Sequence, residues 1–114
     1  MPERIAGMAR QAEKRFLEGI AYIAERNPSA AEKIVRNMRE LRERLVDFPN
    51  IGVRGEIPGT RRVVLRPFVL TVRKGMNGVE IAAVRHAKQR DAYAPSELLD
   101  EESVEEKLPS GSTP

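Results

Sequence analysis

Apolar positions recur at helical spacing through the first part of the chain: Ala12, Phe16, Ile20 and Ile23 stand three or four apart, and Leu17 and Ala24 widen the stripe. The spacing predicts a helix over about Ala9 to Arg26 with one buried face. Asn27 is a good N-cap, and Pro28 suits the first position of a helix, where its missing N–H would have had no partner anyway. A second helix therefore starts at once. Ile34, Val35, Met38, Leu41 and Leu45 continue the period from Ala31 onward, with Arg36, Arg39, Arg42 and Arg44 interleaved, until Phe48-Pro49 stops the run. Two helices joined at so tight a break predict an antiparallel hairpin.

The pattern then changes. Gly52, Gly55, Pro58 and Gly59 crowd the stretch from Pro49 to Thr60, which predicts a loop. Valine, leucine and isoleucine dominate Arg61 to Leu65, Phe68 to Arg73 and Val79 to Arg85, which read as three strands of an antiparallel meander. Arg66-Pro67 and Lys74 to Gly78 are the turns, and Asn77-Gly78 tolerates positive φ, as a hairpin requires. Period-two alternation points Val63, Leu65, Phe68, Leu70, Ile81 and Ala83 toward the helices. Arg62, Arg66, Thr71, Arg73, Glu80 and His86 then fall on the other face, which is expected to lie open and basic. The fold class is α+β, with a helical hairpin packed on a small twisted antiparallel sheet.

Length allows one modest core: 114 residues leave no room for a separate cofactor domain. No apolar run approaches the roughly 20 residues that span a bilayer, and the first residues lack a secretory signal's apolar core, so a cytoplasmic protein without membrane contact is expected. With no cysteine and one histidine there is no disulfide and no zinc ligand set, and neither metal nor cofactor is expected. The net charge of +3 hides a division. Residues 1–93 hold 19 Lys and Arg against 11 Asp and Glu, or +8, whereas residues 94–114 hold one lysine against six acids, or −5. We read residues 1–93 as the domain and 94–114 as an acidic, flexible, partly disordered tail in which Pro95 to Leu99 begins a short helix. A basic body favours polyanions, and the tail's opposite charge suggests that it folds over the basic sheet face and masks it.

The order of these signals resembles the RelE/ParE superfamily, the toxin half of bacterial type II toxin–antitoxin modules. The matching pieces are Ile20 to Pro28, Ala30-Ala31, Leu45 with Phe48-Pro49, Ile51-Gly52, Pro58-Gly59-Thr60-Arg61, Phe68-Val69-Leu70, Arg73, and Val84 with His86-Ala87, spread over about residues 12 to 93. The resemblance implies two helices on a twisted antiparallel sheet, a neutralising antitoxin protein, and toxicity by one of two routes. RelE-like members cut messenger RNA on the ribosome. ParE-like members inhibit DNA gyrase and need no catalytic residue of their own.

The ribonuclease route needs an acid, a base and cations around a phosphate attacked by the neighbouring 2′-hydroxyl. Arg61, Arg73, His86 and Tyr93 are the catalytic candidates, Arg61 and Arg73 by their match to family arginines and Tyr93 by its place shortly after the last strand. Arg54, Arg62, Arg66, Lys74, Lys88 and Arg90 are candidate contacts to nucleic acid or to a protein target. Three departures weigh against catalysis or against the full sheet. Phe68 and Val72 stand where relatives often carry tyrosines, the loop offers Arg54 but no lysine pair, and residues before Arg10 make at best a poor edge strand over Arg4 to Met8. The reading is a growth-arresting toxin that inhibits gyrase, then a ribosome-dependent ribonuclease, then a binding module that keeps the fold without toxicity. The partners expected are a cognate antitoxin, gyrase or a ribosome with its mRNA, and a second copy of the chain through a bare sheet edge.

Overall fold

The computed structural model describes residues 5–99. Two helices, α1 (Arg10–Arg26) and α2 (Pro28–Asp47), pack as a hairpin on a five-stranded sheet of order β1-β5-β4-β3-β2. Asn27 accepts the Ala30 N–H at 3.1 Å on its side-chain oxygen and caps α2, while its own N–H ends α1 on the Ile23 carbonyl. The strands are β1 (Gly7–Met8), β2 (Val53–Arg54), β3 (Thr60–Leu65), β4 (Phe68–Gly75) and β5 (Gly78–His86).

The antiparallel meander is present as β3, β4 and β5. Two short strands extend it, one of them inside the poor edge strand expected over Arg4 to Met8. β2 arises inside the stretch expected to be a loop and pairs antiparallel with β3, whereas β1 pairs parallel with β5, so the sheet is mixed rather than wholly antiparallel. β1 is held from both sides. The Ala9 N–H donates to the Ile81 carbonyl, and Ala6 and Arg42 exchange bonds, with Ala6 N–H to the Arg42 carbonyl and Arg42 Nε to the Ala6 carbonyl at 2.8 Å. Burial pulls the Arg42 guanidinium below its ordinary value.

A single core lies between the helices and the sheet: Ala12 and Phe16 from α1, Met38, Leu41 and Leu45 from α2, and Val63, Phe68, Leu70, Val72, Ile81 and Val84 from the strands. Leu17 and Val35, expected on the buried stripes, are 56% and 44% exposed and lie outside that contact.

The expected facing of β5 holds only as far as Ile81. Val72 pairs with Ile81 and Thr71 with Ala83, so Ala82 is an extra residue, a β-bulge. Parity flips there. Ala82 and Ala83 both turn to the second face, where they meet Ile57 and Leu98, and Val84 and His86 turn to the helix side. The assignments of Ala83 to the helix face and of His86 to the second face are thus both reversed. Nor is the second face open. Val69, Thr71 and Arg85 are buried on it, beneath a cover that includes Ile57, Ala92, Pro95 and Leu98.

α1 comes close to the sheet at Gly19, where an added Cβ would stand 2.6 Å from the ring of Phe68. That ring is wedged against Phe16, with centroids 5.4 Å apart, and against His86 at 6.4 Å. Alanine normally stabilises a helix interior over glycine by about 0.5–1 kcal/mol. Here we predict the reverse sign: Gly19→Ala lowers unfolding stability by about 1–3 kcal/mol. Chemical denaturation of Gly19→Ala, Phe68→Leu and the double variant checks this, because relief of the clash requires the double variant to be more stable than the sum of its parts.

Candidate functional site

The structure divides the candidate residues between the two ends of the sheet. One end is built by the loop 55–60, the start of β3 and the end of β4. Gly59 takes φ +83° with open space where a side chain would be, so the loop turns there with bare backbone. Around it, Arg54 and Arg61 line one cleft with Glu56, Pro58 and Thr60, and Arg61, Arg73 and Lys74 line a second with Pro49 and Asn50. Arg54 and Arg61 are register partners across β2 and β3, which sets their separation. Arg61 donates from Nη1 to the Gly52 carbonyl at 3.2 Å, and Arg73 donates from Nε to Glu80 at 3.1 Å. Lys74 is exposed. This end is cationic and concave, and its donors suit anions.

His86 occupies the other end. Its ring packs edge-on to Phe68 in a groove shared with Arg15, Gly19, Tyr22 and Ile23. Its Nδ1 accepts the Lys88 N–H at 3.2 Å, and its own N–H donates to the Gln89 side chain at 2.8 Å. Arg66 lies at the nearby β3–β4 turn, where the Arg66–Pro67 peptide is cis and the Pro67 carbonyl accepts the Ala87 N–H. Lys88 and Arg90 follow in the exposed turn after β5. The register makes the separation plain: Phe68 pairs with His86 and Arg73 with Glu80, so five residue steps along β4, about 17 Å at about 3.4 Å each, separate the histidine from the cationic end.

Tyr93 belongs to neither end. Its ring stacks on the guanidinium of Arg62, 4.9 Å from the ring centroid, over the second face of the sheet. Arg61 and Arg73 are therefore brought together, and His86 and Tyr93 are each placed elsewhere. Among the described residues no group of three or more His, Cys, Asp or Glu side chains is arranged to hold a metal ion, and no helix is long and apolar enough to cross a membrane.

Two arginines that sequence reasoning passed over matter more than several it chose. Arg85 is 2% exposed, and its guanidinium receives Asp91 at Nε (3.1 Å) and Glu97 at Nη1 and Nη2. Its Nη1 also reaches the Val84 carbonyl at 3.1 Å. Burial pulls the Arg85 guanidinium down, but the hydrogen bonds of Glu97 and Asp91 more than offset it and leave it raised. Arg85 holds Asp91 well below the usual carboxylate range, at about 2, although burial opposes the shift and the Ser96 N–H, bonded to it at 2.9 Å, adds to it. The signal in the sequence was an arginine closing the apolar run Ala82-Ala83-Val84, with acids six and twelve residues on. Arg15 is the second: its Nε is buried, in a side chain that lines the His86 groove, with no hydrogen-bond partner among the described residues. Nothing in its helical position singled it out.

Residues 8–91 match the family described as the ParE toxin of the type II toxin–antitoxin system parDE. The Sinorhizobium fredii (strain NBRC 101917 / NGR234) protein Y4kP, named as a candidate toxin, is 34% identical over 79 residues, covering 68% of this chain and 81% of its own. Among solved structures, a chain of the chromosomal ParDE TA system from P. aeruginosa superposes with a TM-score of 0.60 at 21% identity, over 75% of this chain and 98% of that one, a likeness of fold.

The buried cation makes the segment 91–99 depend on its acids. We predict that Arg85→Met costs about 2–3 kcal/mol, less than the ~3–5 kcal/mol of a fully buried pair because both carboxylates keep some water. Amide exchange should quicken from Asp91 to Leu99 and little elsewhere. Asp91 has a folded value near 2 against about 3.9 unfolded, so its contribution is complete above about pH 4 and is lost as pH falls toward about 2. Acid titration of Asp91→Asn should lack that part of the decline.

Proposed function

We propose a mode of action from one premise: this chain belongs to the ParE toxin family of type II toxin–antitoxin systems. Membership carries an antitoxin partner with it. Beyond that, we infer that the toxin arrests growth in the cytoplasm by inhibiting DNA gyrase and that it is not a ribonuclease.

The observation that supports this reading is the dispersal of the proton-exchanging groups. Cleavage by a 2′-hydroxyl requires an acid, a base and cations within hydrogen-bond reach of one phosphate, about 2.6–3.2 Å. His86 stands about 17 Å along the sheet from Arg73, and Tyr93 is stacked on Arg62 over the second face. Among the described residues, those that line the two clefts of the cationic end include no imidazole or phenol. An inhibitor needs only complementary surface, and both a cationic end and exposed apolar side chains are present, Leu17 and Tyr22 on α1 among them. The groove beside Tyr22, with Ile23, Phe68 and Val84 in its floor, suits an apolar segment of an antitoxin.

Purified toxin in excess should inhibit supercoiling by gyrase, and His86→Ala and Tyr93→Phe should retain that inhibition within about twofold. In parallel, primer extension on mRNA held in ribosomes with a defined A-site codon should give no new stop. A ribosome-dependent cut that His86→Ala or Tyr93→Phe slows by about a hundredfold or more would overturn the reading.

A further inference from the structure

We propose that the acidic stretch that directly follows the described residues, 100–106, docks in the cationic cleft around Gly59 and competes there with polyanions. The first ground is where the chain leaves the fold. Leu98 is 5% exposed in the small cluster with Ile57, Ala82 and Ala83, and it shares the lining of the cleft wall with Pro58, Gly59, Thr60, Arg73 and Lys74. The chain is led to that point. Arg85 grips Asp91 and Glu97, which fixes the path of 91–97 across the second face and delivers Leu98 to the cationic end and not to the His86 end.

The second ground is charge. Five of the seven residues from Asp100 to Glu106 are acidic: Asp100, Glu101, Glu102, Glu105 and Glu106. The cleft that Leu98 helps to line carries Arg73 and Lys74, and the two clefts that adjoin it at Gly59 add Arg54 and Arg61, against Glu56 on one wall and Glu80, which is engaged with Arg73. The third ground is reach. Only Leu99 separates Leu98 from Asp100, a span of about 7 Å, so the acids are tethered at an effective concentration on the order of millimolar beside the cations. At that concentration even weak, salt-screened pairing occupies the cleft. The inference does not depend on whether gyrase or the ribosome is the target.

The test compares the full chain with a variant in which Asp100→Asn, Glu101→Gln, Glu102→Gln, Glu105→Gln and Glu106→Gln are combined. These changes leave Glu97, Leu98 and the Arg85 contacts intact, as truncation before Glu97 would not. At 50 mM salt the neutral variant should move the backbone amide resonances of Gly59, Arg61 and Lys74, and the difference should vanish at 500 mM salt, where the Debye length is only a few ångströms. With a fluorescent DNA duplex as the polyanion probe, the neutral variant should bind about tenfold more tightly than the full chain at 50 mM salt. In an Arg54→Glu, Lys74→Glu background that ratio should fall to about one. Unmoved cleft amides, or shifts elsewhere on the surface, would overturn the docking. Equal DNA affinities, or a tenfold ratio that persists in the charge-reversed background, would overturn the competition.

Discussion

One inserted residue decides how this molecule is layered. β5 is the strand that β1 and β4 both pair with and that carries two of the residues facing the helices, so any change of parity along it is felt on both faces of the sheet. The bulge at Ala82 makes that change. Without it, Ala83 and Arg85 would follow Ile81 toward the helices, and a guanidinium would enter the apolar core beside Phe68 and Leu70. With it, Val84 takes the core position and the small pair Ala82-Ala83 leaves room on the second face for Ile57 and Leu98. The bulge thus divides the interior into a large core under the helices and a small one under the chain's last described residues.

The second core has a charge in it, and that charge dictates the rest of the path. An unpaired buried guanidinium is strongly destabilising, and breaking such a pair typically costs several kcal/mol. Arg85 therefore obliges the chain to return after β5 with acids in hand. Asp91 and Glu97 supply them, and the turn from His86 to Gln89 supplies the reversal. Pro95 and Leu98 are buried as a consequence, and the face that composition alone would leave to solvent is covered. The same bonds hold Asp91 ionised to about pH 2, so the contact persists across the whole range in which a cell operates.

Much of this was legible in the sequence and the remainder failed for definite reasons. The helical hairpin could be read because Asn27-Pro28 is both a stop and a start, and the meander could be read because three β-branched runs are separated by turn residues. β2 could not, and β1 only as the poor edge strand expected over Arg4 to Met8. A strand of two residues has no period, and each exists only because a longer strand offers it an edge. The bulge was invisible because Ala82 and Ala83 are both small and apolar, so that strict alternation and an inserted residue predict equally plausible patterns; His86 was consequently assigned to the wrong face. Leu17 and Val35 were counted as core because hydropathy marks a side chain that favours burial, whether or not the fold places anything over it. Of the candidate residues, Arg61, Arg73, His86 and Tyr93 were grouped by family position, which says nothing of register, and Arg85 was named only as the end of a strand because its acidic partners lie six and twelve residues further on.

Strand register also fixes how far apart the candidate residues stand. Arg61, Arg73 and His86 all sit on strands of a single hydrogen-bonded ladder, so their separations are multiples of the strand rise and the interstrand spacing. A loop that carried an acid or base could swing toward a phosphate held at the cationic end. A residue paired at the far end of β5 cannot do so without breaking the ladder between them, and that ladder backs the main core at Leu70, Val72 and Ile81. Tyr93 is outside the ladder, but moving it toward Gly59 would break its stacking on Arg62 and displace the chain that Asp91 and Glu97 pin to Arg85. The contacts that close the second core therefore also hold Tyr93 and His86 apart from the cationic end, so the spacing of these groups is built into the fold itself.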